Sequence, residues 1–177
     1  QLGFLFATPG DSIRFSDMHS LEPYAIRRVK SVNYPNSEFI EISFTENIGE
    51  VLRSESVADN LSWQADVHMQ HTTIRRNRAR SILISTGGDV LVEHNHFSSC
   101  TFTSILFSGD GTFWHESGPV RNVHIRDNLF EDFGLASGRA PVVQCSPSVE
   151  QDGMPEFYYH QNIYFENNTC RVFGRLL

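Results

Sequence analysis

A nine-residue pattern of apolar and polar positions recurs along the second half of the chain. It reads polar, apolar, any, apolar, any, any, Asn, any, apolar, and it fits residues 89–97, 122–130 and 162–170, with a looser copy at 66–74. Alternating apolar positions are typical of a β-strand with one buried face. Four copies of one pattern indicate an internal repeat, which is the mark of stacked supersecondary units.

Equivalent positions of the repeat hold similar residues. The first apolar column, the Asn column and the closing apolar column are, in that order, Val67/Val90/Val123/Ile163, Thr72/Asn95/Asn128/Asn168 and Ile74/Phe97/Phe130/Cys170. A further apolar strand follows at residues 82–84 and 105–107, and residues 142–143 are its counterpart in the third copy. Each repeat therefore holds two or three short strands.

This repeat predicts an all-β fold, a right-handed parallel β-helix of about four coils over residues 65–177. Like residues of successive coils then stack about 4.8 Å apart. An Asn at the bend is expected to adopt the left-handed backbone conformation and to bond the Asn of the next coil. A leucine-rich repeat would need Leu columns and a helical return, and the sequence has neither.

Residues 1–60 lack the repeat. Apolar runs predict strands at residues 1–7, 12–15, 25–32, 39–44 and 50–54, separated by Pro, Gly and Asn. Short strands at this spacing indicate a small antiparallel β-barrel or sandwich-like domain. We place the domain boundary near residues 56–64, which divides the chain into residues 1–60 and 61–177.

The second repeat is longer than the first, and its extra residues contain the candidate chemistry. They form the loop at residues 109–119, which holds Asp110, Trp114, His115 and Glu116. Loops that leave a regular solenoid are frequent binding sites. Strand register places Asp110 one coil away from Asp89, at about 5–9 Å. Glycosidases place an acid and a base or nucleophile in this range.

Each of these residues also has a structural interpretation. Asp89 stands at the entry of a strand, where a polar cap is common, and Asp110 suits a turn in Gly-Asp-Gly. Glu116 fits a solvated loop, and Trp114 fits packing beneath it. The basic residues Arg76, Arg78 and Arg80 alternate along one edge, either to contact hydroxyl or carboxylate groups of a ligand or as a solvated face.

Composition narrows the classes of function. A formal net charge of −7 argues against a generic binder of nucleic acid or of anionic membranes. No apolar run is long enough to span a membrane. The sequence shows no nucleophile elbow, phosphate-binding loop, dinucleotide fingerprint or metal-ligand spacing. We therefore expect neither a metal nor another cofactor.

Several segments in order resemble glycoside hydrolase family 110. They are N-R-A-R-S-I-L-I-S-T at residues 77–86, V-E-H-N-H-F at 92–97, S-I-L-F-S-G-D at 104–110 and W-H-E-S-G-P at 114–119. Residues 10–15 look like the barrel domain that these β-helical enzymes insert into the helix. The resemblance spans most of residues 1–175. It implies an inverting, metal-independent exo-α-galactosidase that releases terminal α-1,3-linked galactose.

The resemblance also implies acidic catalytic residues on a face of the β-helix. Asp110 matches the family pattern best, and Glu116 lies in the shared W-x-E-S-G segment. Asp89 is proposed from strand register alone. The residue before Asp110 is Gly, so no second carboxylate adjoins it there. Expected contacts with substrate come from Trp114, His115, Arg78 and Arg80.

The expected partner is an oligosaccharide or glycoconjugate with terminal α-galactose. We expect a partial chain of a secreted, periplasmic or cell-surface protein, and an exposed end coil favours a homo-oligomer. Three alternatives stay open. They are a non-catalytic carbohydrate-binding β-helix, a β-helical polysaccharide lyase, which would need a Ca²⁺ cluster or an Arg or Lys base, and a structural or adhesive β-solenoid.

Overall fold

The computed structural model describes residues 6–49, 51–115, 118–136, 140–150 and 157–172. Within these ranges the chain is all-β, with a single 3-10 helix, Leu61–Trp63, between the two kinds of sheet. The all-β prediction is therefore confirmed. No helix in the described part of the chain is long and apolar enough to cross a membrane.

The first part forms one antiparallel sheet. Its strands are β1 (Ser12–Asp17), β2 (Pro23–Asn33), β3 (Glu41–Phe44) and β4 (Ser56–Asn60), in the order β3-β2-β1-β4. Ile13, Phe15 and Val29 form its apolar core with Ala7. A buried ion pair joins β1 to the edge strand β4, because Nη2 of Arg14 lies 2.7 Å from Oδ2 of Asp59.

One predicted strand of this part is wrong. Residues 51–54 form a turn and loop, and the fourth strand begins at Ser56. The backbone N–H groups of Val51 and Leu52 both donate to the carbonyl of Ile48, which commits this segment to a turn. The Asn47 side chain accepts from the N–H of Gly49 and starts the turn. The predicted strand at residues 1–7 lies largely outside the described residues.

The second part forms three parallel sheets, and successive strands of the chain visit them in rotation. The first sheet holds β5 (Val67–Gln70), β8 (Val90–Glu93), β11 (Val123–Arg126) and β14 (Ile163–Glu166). The second holds β6 (Thr73–Arg75), β9 (His96–Ser98), β12 (Leu129–Glu131) and β15 (Thr169–Arg171). The third holds β7 (Ile82–Ile84), β10 (Ile105–Asp110) and β13 (Val143–Ser148).

The pairing register follows the columns of the sequence repeat. Val90 pairs with Val67 and with Val123, and Phe130 pairs with Phe97 and with Cys170. Buried apolar residues fill the space between the sheets, and the rings of Phe97 and Phe130 stack at 5.0 Å. The predicted columns are therefore confirmed.

In the first apolar column of the repeat, the two central residues are fully buried and the two terminal ones are not. Val90 and Val123 are 1% and 0% exposed, whereas Val67 of the first repeat and Ile163 of the last are partly buried. A central repeat has apolar neighbours on both sides, and a terminal repeat has them on one. Deleting a central apolar residue therefore removes more packing than deleting a terminal one.

Asparagine side chains link the repeats at the bend between the first two sheets. The backbone N–H of Asn128 donates to Oδ1 of Asn168 at 2.9 Å, and its Nδ2 donates to the carbonyl of Val92 at 2.9 Å. Oδ1 of Asn128 in turn accepts from the N–H and from Nδ2 of Asn95, at 2.9 and 3.0 Å. The predicted bonding between the amides of successive repeats is confirmed.

The Asn residues do not themselves adopt the left-handed conformation, so that prediction is wrong. The preceding residue does, and its φ is +50, +54, +56 and +50 in the four repeats, at His71, His94, Asp127 and Asn167. The Asn backbone N–H then faces the next repeat, where an amide oxygen accepts it. Polar or short side chains at the preceding position tolerate this conformation.

Replacing the central Asn tests this link. Asn128→Ala leaves several buried backbone groups without partners, and we expect it to lower the free energy of unfolding by about 2–4 kcal/mol. Asn168→Ala, at the end of the ladder, is expected to cost less. Urea denaturation followed by tryptophan fluorescence measures both. Asn33→Ala on an exposed strand is the control, and a loss no larger than the control's in Asn128→Ala would contradict the role of the ladder.

Candidate functional site

A groove with a volume of about 650 Å³ lies on the outer face of the third parallel sheet. Alternate residues of β10 and β13 line the floor, whereas Ile105, Phe107 and Val143 between them belong to the apolar core. The lining residues are Arg80, Phe102, Thr103, Leu106, Ser108, Asp110, Trp114, Ala140, Gln144, Ser146 and Ser148. The groove therefore combines hydroxyl and amide groups with aromatic walls.

Asp110 ends β10, and its carboxylate folds the following loop around itself. Oδ1 accepts from the N–H and the hydroxyl of Thr112 at 2.8 and 3.1 Å, and from the N–H of Phe113 at 3.0 Å. Oδ2 accepts from the N–H of Trp114 at 2.5 Å. The side chain holds the turn that the Gly-Asp-Gly sequence suggests, and this turn presents Trp114 to the groove.

These bonds keep Asp110 ionised. The N–H of Trp114, followed by that of Thr112, lowers the pKa of Asp110 to about 2, against the opposing effect of burial. Hydrogen bonds to a carboxylate favour its charged form. Asp110 therefore carries a negative charge at neutral pH and holds no proton to donate.

Two aromatic side chains line the groove. Trp114 is 72% exposed and Phe102 is 50% exposed, so both rings are accessible to solvent. Phe113 contacts Trp114 edge to face, with the ring centroids 4.9 Å apart. Exposed rings on a polar groove match the apolar faces of sugar rings, whose hydroxyls then reach the flanking polar groups.

The groove strand is supported from the protein interior. A side chain at Gly109 would place its Cβ 2.2 Å from Cε1 of Tyr159, so only glycine fits beneath this ring. The Tyr159 hydroxyl accepts from the N–H of Gly118 at 3.1 Å. Burial raises the pKa of Tyr159 to about 12, so the phenol stays neutral. Tyr159 thus ties the strand to the far end of the loop.

Several lining residues were not among the candidates chosen from the sequence. Phe102 and the outward positions Ser108, Gln144 and Ser146 line the groove beside Asp110. The available signal was alternation, because residues two apart on a strand share a face with Asp110. Only strand pairing shows that β13 lies beside β10, with Asp110 opposite Ser148.

Asp89 lies away from this groove. It lines a separate depression on the first parallel sheet with Asp66, Asn122 and Arg126. Its Oδ1 accepts from Nδ2 of Asn122 at 2.8 Å, so the side chain links two repeats. The structure therefore does not bring Asp89 and Asp110 into one groove.

The remaining candidates divide among different places. Arg80 lines the groove, whereas Arg78 is exposed and lines none of the depressions described here. His115 lines a different cavity of about 620 Å³, between the first repeat and the antiparallel sheet. Glu116 lies outside the described residues. Within the part of the chain that the structure describes, no group of three His, Cys, Asp or Glu side chains is arranged to hold a metal ion.

Comparison with known proteins finds one matching domain family and several related enzymes. Residues 1–57 match the family described as GLAA-B beta-barrel domain II. Alpha-1,3-galactosidase B of Akkermansia muciniphila is 33% identical over 97% of this chain, and alpha-1,3-galactosidase A of Shewanella woodyi is 32% identical over 98%. Alpha-1,3-galactosidase B of Parabacteroides distasonis is 30% identical over 99%.

These relatives are all curated alpha-1,3-galactosidases. The resemblance in the sequence segments is thereby confirmed, and it extends over nearly the whole chain. The chain spans about a quarter of the length of these curated relatives, namely 22%, 28% and 30% of them. The chain thus matches a portion of those proteins, and the barrel-domain match covers its antiparallel part.

The low pKa of Asp110 predicts how the loop responds to acid. A carboxyl with a folded-state pKa of about 2 against an ordinary value of 3.8 stabilises the fold fully above pH 3.8. That contribution is lost as the pH falls through about 2. The wild type is expected to unfold at higher urea concentration than Asp110→Asn at neutral pH, and this gap is expected to close in acid. Equal gaps at all pH values would contradict the carboxylate's role in the turn.

Proposed function

We propose that this chain is part of a glycoside hydrolase, an inverting exo-α-galactosidase that releases terminal α-1,3-linked galactose from glycans. The observation that carries the proposal is the groove in which Asp110 and Trp114 lie side by side among hydroxyl and amide groups. The relatives are named alpha-1,3-galactosidases, which supports the choice of sugar and linkage.

The proposal includes an architecture. The three parallel sheets are the faces of a right-handed parallel β-helix over residues 61–177, and residues 1–60 are a barrel-like domain attached to it. Rotation of successive strands through three sheets supports this, as does the constant register between repeats. The groove then occupies one face of the helix, where the loops are longest.

Different residues would bind the apolar face of galactose and its hydroxyl groups. The Trp114 ring packs against the apolar face of the sugar. Ser108 and Gln144 on the floor offer donors and acceptors to the hydroxyls, and Arg80 adds a cationic donor at the edge. Arg78 and His115 line other surfaces in the structure, so they contribute less to this binding mode.

In the proposed mechanism Asp110 is the ionised carboxylate. An inverting enzyme needs one carboxylic acid and one carboxylate that activates water. A pKa of about 2 suits the second of these and not the first. From the described residues Oδ2 accepts one hydrogen bond, which leaves it a lone pair for a water molecule.

The acid must then be another carboxyl. Asp89 lines a different depression, which favours Glu116 in the loop that Asp110 anchors. In this arrangement the acid protonates the leaving oxygen while Asp110 removes a proton from water on the opposite face of the sugar. The transition state has oxocarbenium character, and the negative charge of Asp110 stabilises it.

A second candidate function is carbohydrate binding without catalysis. Asp110 is the one carboxylate among the described residues of the groove lining, and four donor groups already bind it. Such a residue also suits a purely structural turn. Binding of galactosyl ligands without turnover by the full-length protein would favour this candidate.

Substitutions in the full-length protein test the proposal. Trp114→Ala is expected to weaken binding of an α-1,3-galactosyl disaccharide about ten-fold or more, because the stacking surface is lost. Asp110→Asn and Glu116→Gln are each expected to lower kcat by about 100-fold or more. Calorimetry measures the binding, and release of galactose measures the turnover.

Two further variants complete the test. Trp63→Ala removes an exposed tryptophan from another cavity and is expected to leave binding unchanged. Asp89→Asn retains turnover if Glu116 is the acid and loses it if Asp89 is. Turnover that survives Asp110→Asn would overturn the role of Asp110.

A further inference from the structure

The turn between β1 and β2 has a fixed shape. Oδ1 of Asp17 accepts from the N–H groups of His19 and Ser20 at 3.0 and 2.8 Å, and the N–H of Leu21 donates to the carbonyl of Asp17 at 3.0 Å. Leu21 adopts a φ of +57 and is 2% exposed. Internal hydrogen bonds and the burial of Leu21 therefore fix the shape of this turn, residues 17–22.

This turn contacts the loop that carries Trp114. A side chain at Gly111 would place its Cβ 2.5 Å from the carbonyl oxygen of Met18 and 3.2 Å from Cγ1 of Val57. The backbone of the loop therefore rests directly on the turn and on β4. The position of the Trp114 loop depends on the antiparallel sheet.

The same turn contacts the segment that follows β13. The N–H of Glu150 donates to the carbonyl of His19 at 2.9 Å. The His19 ring lies between two carboxylates, with Nδ1 3.2 Å from Oε1 of Glu150 and Nε2 3.6 Å from Oε1 of Glu55. Bridging two carboxylates takes an N–H group on both ring nitrogens, so the two contacts together need the protonated ring.

The two segments leave neighbouring strands at the same end of the groove. Asp110, the last residue of β10, pairs with Ser148, the last residue of β13. One turn of the antiparallel sheet therefore holds both chain segments that continue from the groove floor. A change in this turn is transmitted to both.

We propose that His19 is a positioning residue, whose protonated ring bridges Glu55 and Glu150 and holds the segment after β13 in place at the end of the groove. The effect on this segment is independent of the proposed function. An effect on glycan affinity rests on that function.

The charges around His19 set the direction of its pH response. Contact with Glu150 raises the pKa of His19 above its ordinary value of 6.5, and Glu55 adds to the effect. Asp17, in the same turn, is the third carboxylate near the ring. The bridge is therefore complete below pH 6.5 and is lost as the pH rises through the raised pKa. Glu55 and Glu150 are exposed, so solvent and salt weaken the bridge.

Hydrogen exchange at the Glu150 amide in the full-length protein tests the proposal. After correction for intrinsic exchange rates, protection in the wild type is expected to fall about three-fold between about pH 6 and about pH 8.5. His19→Gln keeps the size and polarity of the side chain but not its charge. It is expected to show the lower protection at both pH values, and Glu150→Gln is expected to match it.

His68→Gln is the control, because His68 contacts Glu93 on another sheet, and it is expected to behave as the wild type. If His19→Gln shows the same pH response as the wild type, the proposal is overturned.

Affinity for an α-1,3-galactosyl disaccharide is measured at the same pH values. A lost pH response in His19→Gln with no glycan binding by the wild type supports the positioning role and contradicts the proposed function. Glycan binding with unaltered protection contradicts the positioning role alone.

Discussion

The hydrogen bonds between the Asn of one repeat and the backbone of the next are the constraint on which the structure depends. They fix which residues of successive repeats lie side by side, because a slip of one residue would turn every apolar side chain outward. With the register fixed, Ile105 and Phe107 point into the core, while Ser108 and Asp110 line the groove. The chemistry of the groove is a consequence of repeat stacking.

The groove departs from the regular repeat only where its loop begins. Gly109 makes room for Tyr159 beneath the strand, and Asp110 accepts four hydrogen bonds from the loop that follows it. The turn at residues 17–22 then supports that loop from the side through Gly111. The stacked repeats thus form the floor of the groove. The antiparallel sheet, from another part of the chain, supports the loop that carries Trp114.

The repeat register could be predicted from the sequence because the alternation of apolar residues and the Asn column repeat together. The grouping of Asp89 with Asp110 failed for a physical reason. Asp89 precedes β8 in the first parallel sheet and Asp110 ends β10 in the third, so the chain has turned between them. Counting residues along paired strands predicts distances within one sheet. It does not account for the turn of the chain from one sheet to another. The contacts of His19 with Glu55 and Glu150 join segments far apart in sequence, and no local pattern indicates them.

The groove beside Trp114 is proposed to belong to an inverting α-galactosidase. Proton NMR of the first sugar released from an α-1,3-galactosyl disaccharide by the full-length protein tests this proposal most directly. Attack by water on the face opposite the leaving group predicts that β-galactose appears first and then converts to the equilibrium mixture of anomers. Initial release of α-galactose, an unsaturated product or no product would contradict the account.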